Sequence, residues 1–251
     1  LKKLKRHPES RSLLFKLGLS LFVLAAVAAG LFTWLVFFTS TFTIKAVEIT
    51  GSRIRSVQYV REESGIDAYR NIVTLPAAKI SGRLEQDPWI KEARVGRRLP
   101  HTVTITVTER KPVALVDCNG AFFLVDGSGW TISPAGPTDF PQLPRVNGGS
   151  MSTPKVAARV ADRRVVECIG IMSQMSESMR GNIVLANPFD GRGHVFVTRM
   201  GFQIVYGSSA EARRKNEILE AIILDAKKND RHAEYVDVSV PDSPVIKLKH
   251  A

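Results

Sequence analysis

Hydrophobic and polar positions divide this chain into one long apolar run and a series of shorter patterned segments. Leu17–Phe38 carries no charged side chain. A helix needs about 20 residues to cross a hydrocarbon core, and it satisfies its own backbone groups there. The run is therefore long enough to span a membrane. Trp34 lies near its far end, where an amphipathic ring suits the interface. Ala26-Val27-Ala28 resembles a signal-peptide cleavage site, but the apolar run continues to Phe38, which favours an uncleaved anchor.

Beyond the anchor, periodicity outlines a first unit over residues 42–111. Ile44–Gly51 reads as a strand, Ser56–Ser64 as a short helix ended by Gly65, and Pro76–Gln86 as a second helix. Ile90–Arg97 is a strand with Ala93 and Val95 inward and Glu92 and Arg94 outward. Arg98–His101 turns the chain. Thr102–Glu109 has the cleanest period-two signal, with Val103, Ile105 and Val107 on one face and four threonines on the other. The order is β-α-α-β-β, an α+β arrangement in which both helices can cover one face of a sheet.

Residues 112–251 form a second, β-rich unit with flanking helices. Asn119-Gly120 marks a hairpin between Val113–Val116 and Ala121–Val125. Asp126-Gly127-Ser128-Gly129 reads as a turn rather than an ion site. Pro134–Pro154 is a loop, and Ser152-Thr153-Pro154 has the chemistry of a helix start. The apolar stripe of that helix contains Ala161, Val165, Cys168, Ile169, Met172, Met175 and Met179. Short strands follow at Ile183–Ala186, His194–Thr198 and Phe202–Tyr206. Ser208 and Glu211 form a capping box for a helix to about Lys228. Its inward face holds Ile218, Leu219, Ile222, Ile223 and Ala226, and its exposed first half holds Glu211, Arg213, Arg214, Lys215 and Glu217. Tyr235–Val240 alternates cleanly and stops at Pro241, as an edge strand would, and a last short strand is expected from Val245 to Lys249.

Charge settles the orientation. Lys2, Lys3, Lys5, Arg6, Arg11 and Lys16, against the single acid Glu9, precede the span and contribute much of the net charge of +11. Residues 1–16 are therefore a cytoplasmic tail and residues 39–251 lie outside. The remaining basic runs lack interleaved aromatic residues, so nucleic-acid binding is not expected. The two cysteines, Cys118 and Cys168, are expected as free thiols, since Cys168 sits on an apolar helix face. No catalytic, cofactor or metal set is evident. The histidines, His7, His101, His194, His232 and His250, are scattered, and neither a G-x-S-x-G elbow nor an S-x-x-K motif occurs. An enzyme is not expected.

The first unit resembles a POTRA domain, and more narrowly that of the FtsQ/DivIB bacterial cell-division family. The match rests on Pro88-Trp89-Ile90, Ala93, Val95, Arg97, Pro100, Val103, Ile105, Val107, Glu109-Arg110, Pro112 and Ala114, with Val47-x-Ile49-x-Gly51 fitting the first strand. The architecture agrees over the whole chain: basic tail, single span, POTRA, β-domain. The resemblance implies a scaffold at the division septum that binds FtsB/DivIC-like and FtsL-like coiled-coil membrane proteins and links them to septal peptidoglycan synthesis. Strand addition to an open sheet edge is the expected mode. The resemblance places the partner-binding residues at Tyr235, Val236, Asp237, Val238, Ser239 and Val240, with Arg213 and Arg214 on the preceding helix. Ser239 and Val240 stand where some members carry Arg and Tyr. The alternative is a membrane-anchored POTRA chaperone or secretion component that captures unfolded envelope proteins.

Overall fold

The computed structural model describes residues 9–38, 40–228 and 233–248. Lys2, Lys3, Lys5, Arg6, His7, His232 and His250 lie outside these. Helix α1, Glu9–Phe38, contains the segment Phe15–Leu35, long and apolar enough to cross a membrane and not buried against the rest of the chain. By length and composition it is a candidate membrane span. The described residues, α1 included, divide into two compact units, one within 1–84 and 92–108 and one within 85–91 and 109–251.

In the first unit, β1 (Ala46–Thr50), α2 (Val57–Ser64), α3 (Ala77–Leu84), β2 (Ile90–Arg98) and β3 (Thr102–Glu109) give the expected β-α-α-β-β order. The sheet order is β1-β3-β2, with β1 parallel to β3 in the register Ala46 to Thr102 and Thr50 to Thr106. Val103, Ile105 and Val107 are buried, as are Val60 of α2 and Ile80 and Leu84 of α3. Each such side chain contributes about 1.5–3 kcal/mol on leaving water. Helix α2 starts where the Ser56 hydroxyl accepts from the Tyr59 N–H at 3.0 Å and stops at Gly65 in the left-handed region. Helix α3 is shorter at both ends than the expected Pro76–Gln86. Gly51 has φ of 85°, and a Cβ there would meet the Val107 carbonyl oxygen at 1.9 Å, so only glycine ends β1 this close to β3.

The second unit is built on one nine-stranded sheet. Its strands are β4 (Pro112–Cys118), β5 (Ala121–Asp126), β6 (Thr131–Ala135), β7 (Arg145–Asn147), β8 (Ile183–Asp190), β9 (Gly193–Thr198), β10 (Gln203–Gly207), β11 (Ala233–Asp237) and β12 (Val245–Leu248). The order is β12-β11-β10-β9-β8-β7-β4-β5-β6. Helices α4 (Arg163–Ser173), α5 (Glu177–Gly181) and α6 (Ala212–Lys228) complete it. A core of buried side chains joins sheet and helices, among them Val116, Val146, Ile169, Phe196, Tyr206 and Leu219. Cys118 and Cys168 are buried free thiols in that core, and burial pushes both thiols' pKa up.

Both expected helix starts in this unit are corrected, and the expected loop Pro134–Pro154 contains β7 and the end of β6. No helix starts at Ser152-Thr153-Pro154. There the chain joins the β5–β6 region instead: the Ala157 N–H donates to the Thr131 carbonyl, the Thr131 N–H to Ala158, and Val160 to Gly129. These long-range bonds outcompete a local cap. The helix begins at Arg163, where the Asp162 carboxylate accepts from the Arg164 and Val165 N–H groups. Val165, Cys168, Ile169 and Met172 do line its buried face, while Met175 and Met179 are buried beyond its end.

The second correction concerns α6. Ser208 and Glu211 do not form a capping box: Glu211 adopts φ of 52°, its carbonyl accepts from the Lys215 N–H, and the helix begins at Ala212. Lys215 is not on the exposed face. It is 1% exposed, and its Nζ donates to the Tyr206 carbonyl at 3.1 Å and the Ser208 carbonyl at 3.0 Å.

Candidate protein-interaction site

The expected edge strand is an interior one. In β11, Tyr235, Val236 and Asp237 pair in parallel with Gln203, Ile204 and Val205 of β10. On the other side they pair antiparallel with Lys247, Ile246 and Val245 of β12. The strand ends at Asp237 rather than Val240. Val236 and Val238 are fully buried, and the Val238 N–H still donates to the Val205 carbonyl at 2.9 Å. The Ser239 N–H turns back to the Asp237 carboxylate at 2.8 Å, and Val240 is exposed in the turn that follows. The apolar alternation seen in sequence therefore marks core positions, and backbone pairing is already used on both flanks.

The open edge lies one strand further on. β12 ends the sheet, and among the described residues no strand pairs with its outer side. All four of its residues are exposed, including Val245, Ile246 and Leu248. Ile246 and Leu248 also line a groove of about 190 Å³ with Phe202, Ile222, Ile223 and Ala226, so the edge stands beside an apolar recess under α6. Lys247 faces Glu234 across the pair, 2.7 Å away, and that hydrogen bond raises the Lys247 pKa. A short strand carrying a lysine is the usual protection of a free edge against indiscriminate pairing.

Arg213 and Arg214 are both exposed at the start of α6. Arg214 hydrogen-bonds Asp242 in the turn that delivers the chain to β12, and also Glu211 at 3.3 Å; these bonds raise its pKa. Arg214 thus ties α6 to the β11–β12 connection. On the inner side of this connection, Gly207 has φ of 72°, and a Cβ on it would sit 2.8 Å from the Ser239 Cβ. The end of β10, the first turn of α6 and the exit from β11 are packed too closely there for a larger residue. The sequence contained a sign of β12, since Val245–Leu248 follows Pro244 and is apolar at three of four positions. Its place at the sheet edge depends on long-range pairing, which alternation alone does not reveal.

Fold and site together define a POTRA protein with one candidate membrane span and an edge-exposing β-domain, and residues 42–110 match the POTRA domain, FtsQ-type. Cell division protein FtsQ of Streptomyces venezuelae is 29% identical over 241 residues, which cover 95% of this chain and 84% of that protein. Cell division protein DivIB of Clostridium acetobutylicum is 26% identical over 212 residues, covering 83% of this chain and 84% of that protein. FtsQ of Caulobacter vibrioides is 32% identical over a shorter stretch, 49% of this chain. Over most of its length the chain is thus similar to bacterial cell-division proteins named FtsQ and DivIB, and its residues 42–110 match the FtsQ-type POTRA domain.

Proposed function

We propose that this chain is a non-catalytic scaffold of the division machinery that takes up FtsB/DivIC-like and FtsL-like coiled-coil proteins by strand addition at β12. It would sit in the cytoplasmic membrane at the septum, N-terminus inside, and link those partners to septal peptidoglycan synthesis. The observation that carries the reading is the apolar β12 at the end of the sheet, whose outer side no strand pairs with among the described residues. An added strand gains backbone hydrogen bonds along β12, and its alternate side chains reach the recess under α6. Tyr235–Asp237 contributes by holding β12 in register, and Arg213 and Arg214 by flanking the turn before it.

The test is in-cell photocrosslinking from position 247, with and without Ile246→Pro. Proline removes a backbone donor and distorts the strand, while the exposed position limits the effect on folding. One dominant small bitopic coiled-coil partner, lost in the proline variant, is the expected result. Equal crosslinking in both proteins would sink the edge as the site. The chaperone reading retains one favourable observation: β1 and β2 are open edges of the three-stranded sheet. It predicts many secreted chains crosslinked from β2 and uniform envelope staining, where the scaffold reading predicts septal foci.

A further inference from the structure

The end of the three-stranded sheet nearest the anchor has a composition that the partner-binding reading does not use. Helix α1 ends at Phe38, and the chain is pinned to the domain almost at once. Thr43 forms a bridge with Asn71, the Ile44 N–H donates to the Arg70 carbonyl at 2.8 Å, and the Lys45 N–H to the His101 carbonyl at 2.9 Å. A fully extended chain covers at most about 3.5 Å per residue, so Phe38 to Lys45 bridges no more than roughly 25 Å. The tight turn Ser40–Phe42 shortens that reach. Two loops, the one around Arg70 and the β2–β3 turn Leu99–His101, are therefore held close to whichever membrane face α1 emerges from.

These loops are strongly basic and carry an apolar tip. Lys45, Arg70, Arg97 and Arg98 are exposed around them; of the nearby acids, Glu48 pairs with Arg98 and Asp67 with Arg61. Arg97 is steered by a hydrogen bond to the Leu75 carbonyl. At the centre Leu99 is 60% exposed, followed by exposed Pro100. A lone exposed leucine is ordinary on a protein surface. A leucine at a turn tip, preceded by Arg97 and Arg98, on the end of the sheet that also carries Lys45 and Arg70, and tethered a few residues from a candidate span, has the composition of an interfacial contact. The opposite end of β3 exposes Thr106 and Thr108 instead.

We infer that this end of the POTRA domain rests on anionic lipid headgroups, with Leu99 entering the interfacial region and Lys45, Arg70, Arg97 and Arg98 meeting the phosphates. The contact fixes the tilt of the domain over the membrane. It rests on α1 being a span and is independent of the division role.

The experiment places the full chain in lipid nanodiscs of pure phosphatidylcholine or of a mixture with phosphatidylglycerol. An environment-sensitive fluorophore is attached through Leu99→Cys or, as reference, Thr108→Cys. Cys118 and Cys168 are buried and compete little for the label. Nitroxide-bearing lipids report depth by quenching. The probe at position 99 should be blue-shifted and quenched in the anionic discs, and much less so in phosphatidylcholine, while the probe at 108 stays solvent-like in both. Adding Lys45→Glu and Arg70→Glu should lower the quenched population by more than tenfold, since each basic residue at an anionic surface is worth roughly fivefold in occupancy. Raising the salt should weaken the contact in the same direction. A probe at 99 as solvent-like as that at 108, or quenching that ignores lipid charge, overturns the inference. A chain that fails to enter the discs at all overturns the span and the contact together.

Discussion

Replacing Asp126 by Asn probes a buried ion pair that anchors the start of the β-domain. The Arg110 Nη1 donates to Asp126 Oδ2 at 2.6 Å, with side chains only 12% and 8% exposed. The other carboxylate oxygen accepts from the Ser128 N–H at 2.8 Å, the Ser128 hydroxyl at 2.6 Å and the Trp130 N–H at 3.0 Å. The Arg110 guanidinium lies 4.4 Å over the Trp130 ring. Asn keeps one oxygen for the turn but presents an amide donor to the guanidinium, which is left buried without its counter-ion. Breaking a buried pair this way costs about 3–5 kcal/mol. The surviving contact with Trp130 offsets about 0.5–2 kcal/mol of that. A loss of roughly 3 kcal/mol is expected in urea unfolding of the detergent-solubilised chain followed by tryptophan fluorescence.

Acid supplies a second readout. Burial alone pushes the Asp126 carboxyl up, but hydrogen bonds from Ser128, Arg110 and the Trp130 backbone outweigh it and hold its pKa below the usual range. A carboxyl depressed on folding stabilises above its unfolded value, about 3.9, and that stability is lost as pH falls through the folded value. The parent chain should lose stability below about pH 4 with a slope that Asp126→Asn lacks. A cost under about 1 kcal/mol, or an unchanged acid slope, would refute the account of a desolvated pair.

Three further outcomes are expected. Gly207→Ala should cost more than about 2 kcal/mol, from left-handed strain and from collision with Ser239, measured by the same unfolding. Lys215→Ala should cost about 2–4 kcal/mol, because the Tyr206 and Ser208 carbonyls lose a charged donor. Burial lowers the His194 pKa, with nearby Glu167 opposing and Lys215 assisting; stability should therefore be full above about pH 6.5 and fall as pH drops toward the lower folded value. His194→Gln should flatten that part of the pH profile, and an unchanged profile would assign it to another group.

Local signals read well wherever they coincide with the tertiary requirement. The threonine–aliphatic alternation of Thr102–Glu109 was legible because one face is core and the other is not. Asp126-Gly127-Ser128-Gly129 was legible as a turn because its contacts span only four residues. Ser152-Thr153-Pro154 misled because its cap chemistry is sound, yet the segment gains more by bonding to Gly129 and Thr131. Lys215 misled because lysine on an amphipathic helix is ordinarily a surface residue. Only the fold brings two carbonyls at the end of β10 to its ammonium. Tyr235–Val240 reads as an edge strand, yet only Tyr235–Asp237 is strand and it lies one strand inward of the edge, because alternation reports burial of side chains and says nothing about who pairs with the backbone.

The sheet order has a mechanical consequence for any load that a strand added at β12 would put on the domain. β4-β5-β6 and β8-β9-β10 are two antiparallel meanders joined through β7, a strand of three residues. It aligns three residue pairs with β4 and two with β8, all parallel. Within the sheet itself, a load applied at β12 passes to β4, β5 and β6 through this narrow seam. Helix α4 packs on β4, β7 and β8 together, lying over the joint like a splint. The tension the domain can transmit is therefore set less by its long hairpins than by the grip of Val165, Cys168, Ile169 and Met172 on the strands beneath them.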